Sequence, residues 1–425
     1  MSIGKRYLWL LTGVLACVGL AGTAQAATEL NIGGSSAARN FMGNTPLNLC
    51  DAGPPLPNYY ISQNNNLHTW TCNRGGLPII IRYSATGSSD GVNKLLQPTS
   101  DPASAMSFLD HTLTAGCTGP VITTRASDGK QYNLTTGCAN TNTLSLGVHM
   151  GAADVQGSSF HQTGPIGTTV TPLDDSSLNS VQVSVVPFSI YLGKGVVQLD
   201  STGTQPNGPV TGLSRLQIEA IFSRGVTDWT RLGFGTVTDG APTTLESTSP
   251  IVLCVRNAGS GTKAAIAATL LINTTETAIA STNVIFSSST SGVLSCLASN
   301  RRSIGYMDAD QVTSFLPGGA NVGLAYAVPV DGALANNPSL TDPKRDLKCG
   351  KWAYWAGERL NRRTTSEGAD VDALGSAFVT DTSSSATIAL IPQGAYWTAF
   401  SDMIVSKNAD KGPLIWKSGA HPECR

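Results

Sequence analysis

Short apolar runs alternate with amphipathic stretches along most of the chain. Brief apolar runs predict strands at 29–33, 77–83, 181–186, 251–255 and 304–307. Helical spacing or a high alanine content predicts helices at 213–222 and 263–271, and two further helices are predicted at 354–360 and 397–405. Ser214 and Gln217 form a capping box that would begin the first of these helices. Strands that alternate with helices predict an α/β fold.

Three polar stretches are too long to be simple connections between these elements. They cover 44–76, 112–148 and 361–386. Structureless connections of this length are uncommon in compact domains unless they carry a function. We therefore interpret these stretches as insertions or binding surfaces.

The composition narrows the class of protein. Only 13% of the 425 residues are charged, which is about half the usual share of a soluble chain. The chain has 27 Lys and Arg against 28 Asp and Glu, for a net charge of -1. This balance excludes the basic footprint of a nucleic-acid-binding protein and the acidic composition of a disordered chain. Low charge with abundant glycine and proline favours a turn-rich, exported protein.

The first 26 residues have the pattern of a secretory signal peptide. Lys5 and Arg6 precede an apolar run over 7–20, and Ala24 and Ala26 fit a small-x-small cleavage site, with cleavage after Ala26. Two alternatives to a cleaved signal peptide are a membrane anchor and a lipoprotein. A membrane anchor would need about 20 apolar residues. A lipoprotein would carry its lipid on Cys17. No later segment is apolar for long enough to span a membrane, so the mature chain is expected in the periplasm or outside the cell.

Removal of this segment leaves an even number of cysteines. They are Cys50, Cys72, Cys117, Cys138, Cys254, Cys296, Cys349 and Cys424. An even count in an exported chain suggests disulfide bonds, although eight cysteines allow about 105 connectivities. Sequential pairing is preferred: 50–72, 117–138, 254–296 and 349–424. No CxxC spacing is present, so a structural zinc site is not expected.

Three segments share the order of an apolar strand, a Gly/Ser turn and a helix start. The turns lie at 32–36, 85–89 and 257–262, and Arg256 directly precedes the third. Such turns expose unpaired backbone N–H groups at a helix N-terminus, where the partial positive charge attracts anions. Arginine can add two hydrogen bonds to an oxyanion. Together, the three turns predict a binding site for a tetrahedral oxyanion.

Other chemistry is not indicated by the sequence. No segment matches the phosphate-binding P-loop or the Gly-x-Ser-x-Gly nucleophile elbow. The five histidines show neither HxH nor HExxH spacing. We therefore predict no enzymatic activity, no cofactor and no metal ion.

Residues 256–262 (RNAGSGT), followed by an alanine-rich helix, resemble the Arg-x-x-Gly-Ser-Gly-Thr signature of phosphate-binding proteins. These are the periplasmic receptors of phosphate ABC transporters and the related DING-type proteins. Segments 33–37 (GGSSA), 86–92 (TGSSDGV), 213–232 and 302–307 (RSIGYM) resemble further parts of the family in the same order. The resemblance spans about residues 29–310, with insertions.

This resemblance implies a type II periplasmic-binding-protein fold, in which two α/β lobes joined by two crossovers hold the ligand in a cleft. One lobe would comprise 27–183 and 320–425, and the other 184–319. An ABC permease would be the partner. The ligand contacts carried over by position are Ser35, Ser36, Ala37, Ser88, Arg256, Ser260, Gly261 and Thr262.

The sequence departs from the family at two carboxylates. The family has an aspartate two residues after the arginine, where this chain has Ala258. The family's Gly-Ala-Ser-Asp motif is absent from the corresponding region, 100–110. This region offers Asp101 or Asp110 as a substitute for the carboxylate that accepts the proton of hydrogen phosphate.

Three functions are consistent with these observations. The first is an exported solute-binding protein that captures phosphate or a similar oxyanion. The second is an extracellular interaction or structural protein on the same fold. The long insertions and the two missing family carboxylates favour this function. The third is a phosphoesterase-like enzyme, for which no nucleophile with its base is visible.

Overall fold

The computed structural model describes residues 25–160, 162–164, 169–238, 241–270, 282–410, 412–419 and 421–424. The predicted signal peptide, 1–26, lies outside the described residues except for Gln25 and Ala26. Across the described ranges, no helix has both the length and the apolar character that a membrane crossing requires.

The described residues contain many strands. They are β1 (Thr28–Gly34), β2 (Asn58–Ser62), β3 (Leu67–Arg74), β4 (Leu77–Ser84), β5 (Ala105–Leu109), β6 (Thr118–Thr124), β7 (Gln131–Cys138), β8 (Thr143–Gly147), β9 (Met150–Ala153), β10 (Gln162–Thr163), β11 (Thr169–Val170), β12 (Leu178–Gly193), β13 (Val196–Leu199), β14 (Pro206–Pro209), β15 (Phe234–Thr238), β16 (Ala241–Leu245), β17 (Val252–Arg256), β18 (Val284–Ser287), β19 (Ser303–Asp308), β20 (Ala325–Ala327), β21 (Trp355–Arg363), β22 (Thr398–Ala399), β23 (Val405–Lys407) and β24 (Leu414–Trp416).

The described α-helices are fewer than the strands. They are α1 (Arg39–Asn44), α2 (Ser88–Leu95), α3 (Arg215–Phe222), α4 (Gly261–Leu270), α5 (Thr290–Ser299), α6 (Arg345–Lys348), α7 (Ala369–Ser383) and α8 (Ser385–Ile388). The predicted capping box begins α3, because the Ser214 side chain accepts from the Gln217 N–H and the Gln217 side chain accepts from the Ser214 N–H. The predicted α/β class is confirmed.

One 14-stranded sheet organises the chain, and β12 pairs with four of its strands. The order is β18-β17-β19-β12-β21-β9-β1-β4-β3-β2-β7-β6, with β20 and β22 also paired to β12. The first part of β12 pairs with β21, and its last part, from Phe188 to Leu192, pairs with β19. The predicted lobe boundary at 183/184 falls inside β12, a few residues before the strand changes partner from β21, which it pairs with up to Pro187, to β19, which it pairs with from Phe188. The lobe ranges themselves remain a prediction.

Two described segments for which the sequence predicts helices contain no α-helix in the structure. Residues 354–360 belong largely to β21, which pairs with β12 on one side and with β9 on the other. Residues 397–405 contain β22 and the start of β23. Short apolar runs have no periodicity that separates a buried strand from a helix, so pairing partners distant in sequence decided these elements. The stretch at 361–386 is not a structureless connection, because α7 lies within it; its interpretation as an insertion or a binding surface stays a prediction.

The other two polar stretches extend the sheet beyond β4. Strands β3, β2, β7 and β6 follow it in order, and Tyr59 and Trp70 stack beneath them with ring centroids 4.1 Å apart. Four disulfide bonds join the cysteines sequentially: Cys50–Cys72, Cys117–Cys138, Cys254–Cys296 and Cys349–Cys424. The first two hold the added strands, so the stretches at 44–76 and 112–148 are folded parts of the sheet.

Candidate functional site

The three Gly/Ser turns meet in the structure. They follow the carboxyl ends of β1, β4 and β17, the edge at which open α/β sheets bind ligands. The Gly87 N–H donates to the Gly34 carbonyl at 2.8 Å, and the Ser89 N–H donates to the Gly259 carbonyl at 3.1 Å. Backbone hydrogen bonds therefore link the first turn to the second and the second to the third.

Glycine at position 259 permits this approach. Its φ of 82° lies in the left-handed region, and a Cβ atom there would overlap the Ser89 hydroxyl. Two helices begin at the joined turns, α2 at Ser88 and α4 at Gly261. Their N-termini place partial positive charge at one location.

The carboxylate of Asp154 lies among the turns. The Ser35 hydroxyl donates to Asp154 Oδ1 at 2.5 Å, and the Thr262 hydroxyl donates to Oδ2 at 3.2 Å. The Asp154 N–H donates to Ser88 Oγ at 3.5 Å. Asp154, 1% exposed, thus contacts all three turns, the first and third through its side chain and the second through its backbone N–H.

Sequence analysis missed Asp154, although a signal for it is present. Residues 151–154 read Gly-Ala-Ala-Asp, one residue different from the motif that we expected near 100–110. The suggested substitutes have local roles instead: Asp101 accepts from the Ala103 N–H, and Asp110 accepts from the Thr112 N–H. The long insertion between β4 and β9 displaced the motif along the chain, so the proposal that Asp101 or Asp110 replaces it is wrong.

Arg256 is buried beside this carboxylate. Its guanidinium donates to the Ser287 carbonyl at 3.3 Å, to the Ser288 carbonyl at 2.9 Å and to Thr290 Oγ1 at 3.3 Å. Thr290 in turn donates to the Ser36 carbonyl at 3.4 Å. Burial lowers the pKa of Arg256 to about 10, and the negative charge of Asp154 opposes this shift. The guanidinium therefore keeps its positive charge at neutral pH.

A second buried arginine, Arg39, was also missed by sequence analysis. It follows the first turn by three residues and donates to Gln311 Oε1 at 3.3 Å and to Asn66 Oδ1 at 3.4 Å. Gln311 also donates to the fully buried Asp308 at 2.8 Å. Burial, and then the charge of Asp310, raises the pKa of Asp308 well above its usual range. Asp308 is thus a neutral acid beside the site.

The eight predicted ligand contacts are all buried, at 4% exposure or less for those other than Gly261. Ser35 and Thr262 share Asp154, and Ser36 is joined to Arg256 through Thr290. Ser260 caps α4, with its hydroxyl accepting from the Lys263 N–H at 3.3 Å. Ala37 is buried directly after the first turn. Their role as ligand contacts remains a prediction.

Several polar atoms of the site are buried without a hydrogen-bond partner in the described part of the chain. They are Ser36 Oγ, Arg39 Nε and Asn257 Oδ1. A buried polar atom without a partner costs about 1–3 kcal/mol, so such atoms indicate a place for a bound polar group. In the ranges that the structure describes, no group of three or more His, Cys, Asp or Glu residues is placed to hold a metal ion.

Residues 201–330, which include the Arg256 turn, match the family model described as a PBP superfamily domain. No curated protein matches the sequence at a significant level.

Several solved structures are similar to this chain. A protein named as a phosphate ABC transporter substrate-binding protein from Clostridium perfringens, solved with bound phosphate, is 14% identical, with a TM-score of 0.51 over 88% of this chain and 99% of that one. An ABC-type phosphate transport receptor from Vibrio cholerae is 12% identical, with a TM-score of 0.42 over 86% and 98%. A high-affinity periplasmic phosphate-binding protein called PfluDING is 14% identical, with a TM-score of 0.45 over 88% and 92%.

At these sequence identities the similarity is evidence for a shared fold alone. This evidence comes from the Clostridium perfringens structure, with its TM-score of 0.51. It agrees with the expected type II periplasmic-binding fold. The chain therefore carries a PBP superfamily domain at residues 201–330, within a fold that it shares with the substrate-binding protein from Clostridium perfringens.

Proposed function

We propose that this chain is an exported solute-binding protein that captures phosphate or a similar tetrahedral oxyanion between its turns and delivers it to an ABC-type importer. The observation that carries the proposal is the cluster of Asp154, Arg256 and the hydroxyls of Ser35 and Thr262. The solved structures with bound phosphate support this ligand class. The protein acts as a carrier and catalyses no reaction.

The groups of the site would replace the hydration shell of the anion. Backbone N–H groups at the starts of α2 and α4 and the hydroxyls of the turns donate to the anion oxygens. Arg256 supplies a permanent positive charge in a site from which water is excluded, where electrostatic attraction is strong. Closure of two groups of elements around the anion would complete the shell.

Asp154 would determine which anion is held. Its carboxylate accepts the proton of hydrogen phosphate or hydrogen arsenate, but it repels sulfate, which carries no proton at neutral pH. The family's second carboxylate is absent at Ala258, and Asp154 is the acidic group that accepts hydrogen bonds from both Ser35 and Thr262. We therefore expect the protein to prefer phosphate and arsenate over sulfate.

Calorimetric titration of the mature protein tests this proposal, after denaturation and refolding to remove any retained ligand. Phosphate and arsenate should bind and sulfate should not. Arg256→Ala should abolish anion binding while the protein stays folded, and Asp154→Asn should allow sulfate to bind. Arg125→Ala is the matched control, because Arg125 is also buried but bonds Asn48 and Asp128. Unchanged phosphate affinity in Arg256→Ala would refute the site.

An extracellular interaction protein is the alternative, and one observation favours it. Strand β6 is the terminal strand of the large sheet, and Val121 and Ile122 on it are 61% and 64% exposed. An exposed apolar edge strand can pair with another chain. Absence of binding for every anion in the same titration would favour this function.

A further inference from the structure

Glu358 lies in the middle of β21, next to Asp154 across the sheet. Strands β21 and β9 are antiparallel, with Leu360 opposite Ala152 and Arg359 opposite Ala153. The next step of this register places Glu358 opposite Asp154. Directly opposite residues point to the same face, with Cβ atoms about 4.5–5.5 Å apart. The two carboxyl groups are therefore neighbours.

Glu358 is fully buried, and neither of its carboxyl oxygens has a hydrogen-bond partner in the described part of the chain. On its other side, β12 presents Ser184, whose buried hydroxyl also has no partner there. The group that Glu358 faces, the carboxylate of Asp154, is itself an acceptor. A hydrogen bond between two carboxyl groups requires that one of them carries a proton.

The surroundings decide which group holds the proton. Asp154 already accepts two hydroxyl hydrogen bonds and lies in the field of Arg256. The charge of Arg359 favours the ionised form of Glu358. Burial, and then the charge of Asp154, outweigh it and raise the pKa of Glu358 well above the usual range. Two adjacent buried carboxylates cannot both ionise. The proton therefore stays on Glu358.

The described elements that pack near β21 also carry titratable groups. From β4 this is Tyr83, whose own pKa is raised well above its usual value, first of all by burial. In α4, the charged residue Lys263 has its ammonium group over the Phe286 ring, 5.3 Å from the centroid. In α2, Asp90 is exposed and Lys94 donates to the Ala103 carbonyl.

We propose that Glu358 is a positioning residue that holds a proton, donates it in a hydrogen bond to Asp154, and thereby sets the discrimination between phosphate and sulfate. The inference rests on the proposed function. A carboxylate offers about four acceptor positions. Ser35, Thr262 and Glu358 would occupy three of those on Asp154, which leaves one for the hydroxyl of the bound anion. Without the Glu358 donor, Asp154 can take up a proton itself and then donate to sulfate.

Two substitutions of Glu358 distinguish the effect of its hydrogen bond from the effect of its side-chain volume. Glu358→Gln keeps a donor but cannot ionise, whereas Glu358→Met keeps a similar volume without a donor. The dissociation constants for phosphate and sulfate are measured by calorimetry from neutral to alkaline pH. Leu360→Met is the matched control, because Leu360 is fully buried on the same face of β21 and such swaps are well tolerated.

We expect Glu358→Gln to keep the phosphate-over-sulfate ratio and Glu358→Met to lower it about tenfold or more, because a hydrogen bond to a charged group is lost. The phosphate affinity of the wild type should fall at alkaline pH, because ionised Glu358 adds a negative charge beside Asp154 and the anion, and the affinity of Glu358→Gln should not fall in this way. Equal ratios in the wild type and in all three variants, or equal losses in both Glu358 variants, would overturn the inference.

A second measurement does not depend on the ligand. The infrared difference spectrum between wild type and Glu358→Gln at neutral pH should contain the C=O stretch of a protonated carboxylic acid. A carboxylate signal instead overturns the inference, even when phosphate binds. A wild-type protein that binds no anion refutes the proposed function, and it then also refutes the role of Glu358 in anion specificity.

Discussion

Replacement of Gly261 by alanine tests whether the three turns meet. Gly261 is the first residue of α4, and at a helical position alanine is favoured over glycine by about 0.5–1 kcal/mol. The structure reverses this expectation. A Cβ atom at position 261 would lie 2.7 Å from Asp154 Oδ2 and still closer to the Ser88 hydroxyl.

The size of the effect follows from these distances. Ordinary contacts of a Cβ atom begin at 3.4 Å, so Ser88 and Asp154 must retreat by up to about 1 Å. The hydrogen bond from Thr262 to Asp154 is already 3.2 Å long and would be lost with such a shift. Overpacking costs about 1–3 kcal/mol, which exceeds the helix gain. We expect a net destabilisation of about 1–2 kcal/mol and loss of anion binding.

Denaturant unfolding and calorimetric titration measure the two effects. Gly375→Ala is the matched control, because Gly375 is helical in α7 and a Cβ atom there would meet only the end of the Arg362 side chain at 3.1 Å and Met150 Sδ at 3.4 Å. That variant should be as stable as the wild type or up to about 1 kcal/mol more stable. A Gly261→Ala protein that is as stable as this control and binds anions with wild-type affinity would refute the convergence of the turns.

Two further predictions concern stability. Burial, and then the charge of Arg39, lowers the pKa of His68 from 6.5 to about 3, so the unfolded chain binds a proton that the folded chain refuses as the pH falls below 6.5. The free energy of unfolding should therefore decrease by about 2 kcal/mol between pH 6.5 and about pH 5. Measured by denaturant unfolding at several pH values, this decrease with falling pH should be smaller in His68→Gln. The same decrease in both proteins would contradict the assignment. The bond between Cys254 and Cys296 spans 42 residues, so its removal by a double alanine substitution should cost about 4 kcal/mol in the same assay, and an unchanged unfolding midpoint would argue against it.

Features that depend on neighbouring residues were predictable from the sequence alone. The capping box at Ser214 and the α4 helix after the RNAGSGT turn are set by side chains within a few positions of one another. The Gly/Ser turns belong to the same group, because their backbone conformation depends on the glycines that they contain. The α/β class followed from the alternation of such local elements.

The tertiary structure decided what depends on distant partners. The character of 354–363 as a strand comes from pairing with β12 and β9, about 175 and 210 residues away in sequence, and its apolar pattern alone could not specify it. Arg39 and Glu358 are single charged residues with no local pattern. They and Asp154 come together only where separate strands meet in the sheet. The sequence by itself determined the Gly/Ser turns; the sheet determined which charges surround them, since burial and cross-strand distance set the protonation of a carboxyl group.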